Sequence, residues 1–172
     1  MRSITFLTIA ILCIAGCDKS VEPDDRHGTI YFNSFESDAD TTGWQGYAAY
    51  GFYNSAPPDG GNRSLFISGG CIMPHAVVDL EPLDEDRFLM LKCWASPIYG
   101  GQVINGGYIS LIVSGEHSGS IDIEVTESTW TAYQPTDTLF CPANQSLYLN
   151  LSCGGFIPGS MLVDLLEVVR VK

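Results

Sequence analysis

The sequence predicts an all-β fold, a sandwich or a barrel. Three observations carry this. From residue 28 onward, short apolar or alternating runs recur, separated by Gly, Pro, Asn, Asp and Ser. Several runs keep a period of two, the mark of a half-buried strand. No stretch beyond the first 16 residues holds a helical period, and many short strands at this spacing close into sandwiches or barrels.

The N-terminus has a different texture. Met1-Arg2 supplies one positive charge, Ile4 to Ile14 is apolar, and Ile14-Ala15-Gly16-Cys17 leads straight into Asp18-Lys19-Ser20. A charged start, a short apolar core and a small-residue exit read as a secretory signal. The run is too short for a spanning helix, which needs about 20 apolar residues. Ile-Ala-Gly-Cys resembles the bacterial lipobox, which implies cleavage before Cys17 and a lipid on that cysteine. The expected layout is a signal over 1–16, a flexible polar linker over 17–28 carrying Glu22-Pro23-Asp24-Asp25, and one domain over 29–172. The expected place is the cell envelope, outside the cytoplasm, tethered to a lipid bilayer.

Within the domain, strands are predicted near 29–35, 64–69, 75–80, 87–96, 107–113, 120–126, 130–140, 146–152 and 161–171. In Ser120-Ile121-Asp122-Ile123-Glu124-Val125 the aliphatics face one way and the acids the other, and Ser146 to Leu151 alternates likewise. Pro142-Ala143-Asn144-Gln145 reads as a hairpin connection. Trp44, Tyr47, Tyr50, Phe52 and Tyr53 read as a loop after the first strand. If Leu89, Leu91, Cys93 and Ala95 face the core, then Met90, Lys92 and Trp94 face out.

Charge and cysteines narrow the partners. Twenty acidic residues against eight basic ones give a formal net charge of −12. Loss of Arg2 with the signal makes the mature chain more acidic still. Such a chain repels nucleic acid and anionic lipid, and neither is expected as a partner. Cys13 leaves with the signal, and Cys17 takes the lipid. Cys71, Cys93, Cys141 and Cys153 remain in an oxidising compartment, where four cysteines allow three pairings. None has the Cys-x-x-Cys spacing of a metal or redox site.

The order of motifs resembles a known family. Phe35-Glu36-Ser37-Asp38, Gly43-Trp44 and Gly60-Gly61-Asn62-Arg63-Ser64-Leu65-Phe66-Ile67-Ser68-Gly69 open the domain. Arg87 to Ser96, Trp130-Thr131-Ala132-Tyr133 and Thr138 to Ala143 follow, and Met161 to Val168 closes it. The whole is similar to the galactose-binding-like jelly rolls, in particular the carbohydrate-binding modules of secreted xylanases and glucanases. Two departures are plain. The family ends on Asp-Asp where this chain has Asp164-Leu165, and the domain cysteines are outside its general pattern.

The resemblance implies a jelly-roll β-sandwich, a structural calcium ion and a glycan ligand. Calcium wants six to eight hard oxygens. The matching positions are Glu36, Asp38, Asn62 in the 60–64 turn, and Asp164. A sugar wants flat aromatic platforms beside amides or carboxylates, and Tyr47, Tyr50, Trp94, Tyr99, Tyr133 and Gln134 are the candidates. Trp44 matches a structural position and is left out. The resemblance also makes the strands near 75 and 146–152 neighbours, so Cys71 and Cys153 are the expected disulfide. Cys93 reads as a buried thiol.

No enzyme is expected. His27, His75 and His117 stand alone, Ser68-Gly69-Gly70-Cys71 is a strand exit, and Asp122 and Glu124 share one solvated strand face. The alternative to a glycan-binding lipoprotein is a structural or protein-interaction lipoprotein that uses the sandwich as a scaffold for an envelope protein. An exposed aromatic row favours glycan, and a flat apolar patch favours a partner.

Overall fold

The computed structural model describes residues 28–47, 49–69, 75–98, 106–154 and 159–171, with 47, 49 and 50 described by backbone alone. The expected signal, Cys17, the expected linker up to residue 27, Cys71 and Tyr99 lie outside these residues. The elements are β1 (Thr29–Asn33), a 3-10 turn (Asp38–Thr41), β2 (Gln45–Tyr47), β3 (Ala49–Tyr53), β4 (Ser64–Gly69), β5 (His75–Leu80) and β6 (Arg87–Pro97). They continue with β7 (Gly107–Ser114), β8 (Gly119–Val125), β9 (Thr131–Tyr133), β10 (Leu139–Cys141), β11 (Ser146–Ser152) and β12 (Gly159–Val171). No α-helix occurs among the described residues.

Two antiparallel sheets face each other. The smaller runs β2-β5-β11-β7-β8. The larger runs β10-β6-β12-β4-β3, with β9 also on β6 and β1 also on β12. This is a jelly-roll β-sandwich. Its core lies between the sheets and draws Leu89 and Leu91 from β6, Leu111 from β7, Leu149 from β11 and Val163 and Val168 from β12. The alternation expected in β6 holds: Leu89, Leu91, Cys93 and Ala95 are buried, while Met90, Lys92 and Trp94 are half-exposed.

β12 breaks its own alternation. Its pairing with β6 slips between Asp164 and Glu167, and Leu165 takes a left-handed φ of 45°. This is a β-bulge, one extra residue that bends the strand. Before it, Met161 and Val163 face the core; after it, Leu166 and Val168 do. Odd positions give way to even ones, and Asp164 is left on the outward side of the sheet.

Three local expectations fail. The segment 45–53 is not a loop but two edge strands, one in each sheet. The 130–140 run is two short strands, because Pro135 has no N–H to give a ladder. β9 pairs with β6 at Cys93 to Ala95, and β10 pairs with it at Arg87 to Leu89. Residues 142–145 form a turn, with Asn144 at φ 58°, but not a hairpin. They carry the chain from β10 in one sheet to β11 in the other.

The expected neighbours do meet. β5 and β11 pair in the smaller sheet, with Ser152 opposite His75. The Cys71–Cys153 bridge is nevertheless not formed: Cys153 is a free, buried thiol, and Cys71 lies outside the described residues. Burial pushes the Cys153 and Cys93 thiols up to about 12, so both behave as small hydrophobes.

Candidate functional site

Three places hold the chemistry. The first begins where β1 ends. Asn33 is buried, and its Oδ1 accepts the Phe35 N–H at 2.8 Å while its amide donates to Asp40 O at 2.6 Å. These bonds hold Phe35 at a left-handed φ of 52°. Its ring is buried against Trp44, whose indole donates to Tyr31 Oη at 3.1 Å. Trp44 is therefore structural, as expected.

The turn at Phe35 delivers Glu36 over the 60–63 loop. Its carboxylate accepts the Asn62 N–H at 3.0 Å and the Arg63 N–H at 3.1 Å. A Cβ on Gly61 would press on that carboxylate and push it off the loop. Asp164 comes in from β12 on the other side. It is 0% exposed, and its Oδ1 accepts the Leu165 N–H at 2.7 Å. Its Oδ2 has no partner among the described residues, and neither has the buried Ser64 hydroxyl, one register step beyond the Leu65–Val163 pair. A Cβ on Gly60 would strike Asp164 Oδ2. Burial, with the Glu36 carboxylate adding, pushes the Asp164 carboxyl up to about 7.

Two carboxylates, two orphan oxygens and a glycine-tight loop are hard-oxygen chemistry. Glu36 and Asp164 are brought together as expected. Asp38 is not: it is exposed and holds Arg63 Nη2 at 2.9 Å. Asn62 contributes its backbone, and its side chain is exposed. Among the described residues no group of three or more His, Cys, Asp or Glu could hold a metal. The sequence reading missed Arg63, which also stacks 3.8 Å over the Phe52 ring and donates to Glu36 O.

The second place is a groove of about 320 Å³ on the outward side of the larger sheet, lined by Trp94, Tyr133, Gln134, Lys92, Glu167 and Leu165 among others. Three expected residues therefore meet. Trp94 stands opposite exposed Ala132, and its indole is half-exposed. Tyr133 is less open. Its ring packs on the core, and its hydroxyl accepts the Thr126 and Glu127 N–H groups at 3.3 and 3.2 Å. Lys92 and Glu167 pair loosely at 3.8 Å.

The third place is the outward side of the smaller sheet. Register sets its residues in rows. Tyr47, His75, Ser152, Tyr108 and Glu124 form one, and Gln45, Val77, Asn150, Ser110 and Asp122 the next. Ser110 and Ser152 are small and buried, Tyr108 is exposed on the inner strand β7, and Asp122 and Glu124 are exposed on the edge strand β8. Tyr108 donates to Glu124 at 3.3 Å, and Ser110 to Asp122 at 2.5 Å. Of the expected residues that are described, only Tyr47 lies in this sheet. Tyr50 sits on β3, at the edge of the other. The alternation that turned Trp94 outward applies equally to Tyr108 and Asn150, and would have found them.

No protein-family profile and no curated protein matches the chain. Solved structures do. The xylan-binding CBM22-1 domain of Xyn10C from Paenibacillus barcinonensis is similar at 14% identity and TM-score 0.58, over 87% of this chain and 99% of that one. TmCBM61, solved with β-1,4-galactotriose, matches at 15% identity and TM-score 0.52, over 81% and 99%. The family 11 module of Lic26A-Cel5E from Clostridium thermocellum matches at 15% identity and TM-score 0.54, over 84% and 95%. The enzymatically active domain of bacteriophage CBA120 tailspike protein 4 shares the fold at 13% identity and TM-score 0.54, and the match spans only 20% of it. The chain thus shares the jelly-roll β-sandwich fold of these carbohydrate-binding modules.

Proposed function

We propose that this chain is a lipid-anchored, non-catalytic glycan-binding protein. The oligosaccharide lies across the outward face of the smaller sheet, and calcium closes the Glu36–Asp164 pocket. The rows on that face carry the reading. A sugar has apolar C–H faces ringed by hydroxyls, so it needs aromatic platforms beside fixed donors and acceptors. Tyr108 is 47% exposed beside Glu124, Asp122 and Asn150. Five strands about 4.8 Å apart offer a trough about 19 Å wide, room for a short oligosaccharide. The known ligands of the modules that share the fold support the same class of partner.

Calcium is supported there by two carboxylates that approach one loop and by the Asp164 Oδ2 and Ser64 hydroxyl, which have no partner among the described residues. Glu36 and Asp164 would hold it, and the ion would neutralise both carboxylates. The 60–63 loop would then be fixed to β12.

Tyr108→Ala is expected to weaken binding about tenfold, near 1.4 kcal/mol. Trp94→Ala is expected to leave it unchanged. Calorimetry on xylan, β-1,4-galactan and mixed-linkage glucan, chosen after a glycan array with and without calcium, measures both. Loss with Trp94→Ala but not with Tyr108→Ala moves the site to the groove. An array on which the wild type binds nothing ends the glycan reading.

A further inference from the structure

We infer that the outward face of the larger sheet, at the end where the tether enters, lies against a phospholipid surface. Phe88 and Phe140 face each other across β6 and β10, ring centroids 5.3 Å apart, and are 52% and 40% exposed. Register places Val171 beside Phe88, and Val169 beside Met90 in the next row. All five point away from the core. Single exposed hydrophobes are ordinary on a soluble surface, but two contiguous apolar rows mark a place of contact.

The occupant follows from where these rows lie. The Arg170 N–H donates to Gly28 O at 2.7 Å, so the chain arriving from Cys17 enters the domain beside the Phe88–Val171 row. Eleven residues, 17 to 27, span at most about 40 Å when fully extended. A lipid on Cys17 therefore keeps this end of the sandwich near the bilayer. Exposed aromatic rings suit the interface of a bilayer, where they sit at headgroup depth. With this sheet against the lipid, the Tyr108 face of the other sheet points away from the membrane. The inference rests on the lipid-anchor reading and adds an orientation to it.

Hydroxyl-radical footprinting tests it. The full mature lipoprotein, reconstituted in phosphatidylcholine vesicles, is compared with the Cys17→Ala protein in solution. Vesicle flotation is read separately. Oxidation of Phe88, Phe140 and Met90 is expected to fall several-fold on reconstitution, while Tyr108 stays as reactive as in solution. Protein that floats but whose phenylalanines oxidise as in solution overturns the inference and leaves the anchor standing. Protection already present in the Cys17→Ala protein, rising with its concentration, gives the face to a second copy instead. Wild-type protein that does not float ends the anchor reading and the orientation together.

Discussion

Cys17→Ala is expected to leave the chain in the soluble fraction, where the parent floats with membranes. The motive is the sequence around it: a charged start, an apolar run over 4–14 and Ile14-Ala15-Gly16 before the cysteine. Magnitudes decide how complete the loss should be. Each buried methylene of an acyl chain contributes about 0.8 kcal/mol, so a long chain outweighs any face of the protein. Burying a phenylalanine side chain fully contributes about 1.5–3 kcal/mol, and Phe88 and Phe140 are already partly covered. The aromatic pair can orient a tethered domain but cannot replace the tether. Fatty-acid labelling with flotation checks this, and a Cys17→Ala protein that still labels and floats rules it out.

Calcium is expected to raise the melting temperature of the domain by about 5–10 °C. A ligand of the folded state adds about 2.7 kcal/mol at a hundred times its dissociation constant, and each kcal/mol moves a domain of this size by about 2–4 °C. The buried Asp164 gives the effect a pH signature. Its carboxyl titrates at about 7 in the fold, against 3.8 when unperturbed. Between those values the metal-free native state holds a proton that the unfolded chain has released, so its stability falls as pH rises through this window and levels off above it. The loss is a few kcal/mol. Calcium needs the ionised carboxylate, so its stabilisation grows over the same window. Asp164→Asn removes both behaviours. Melting curves with EDTA and with millimolar calcium across this range measure them. Identical curves at neutral pH exclude the ion.

Much of this was legible in the sequence, because strand alternation is local. β6 shows its core face in Leu89, Leu91, Cys93 and Ala95, and β8 shows its wet face in Asp122 and Glu124. What failed was non-local. Gly46 and Gly51 dilute the period of β2 and β3, and an edge strand needs a ladder on one side only. The 142–145 turn looks the same in sequence whether it joins strands of one sheet or of two. In the pocket, Glu36 and Asp164 lie well over a hundred residues apart, and only the family resemblance paired them. That resemblance could not show that Arg63 draws Asp38 away. The Tyr108 rows were missed for another reason: the period was seen in β11 and β8, but their outward residues were not read across neighbouring strands.

The bulge at Leu165 makes β12 a strand with two reading frames. Its first half counts core positions on odd numbers and its second half on even ones, and the extra residue is the shift between them. Deleting Leu165 would merge the frames without turning any side chain over: Asp164 would stay outward and Leu166 and Val168 inward, each half in the register it already keeps against β6. A one-residue deletion at 165 should therefore spare the core and remove only the bend beside Asp164, while a one-residue deletion inside either half should rank with the worst lesions in the domain, because it turns every residue beyond it to the other face.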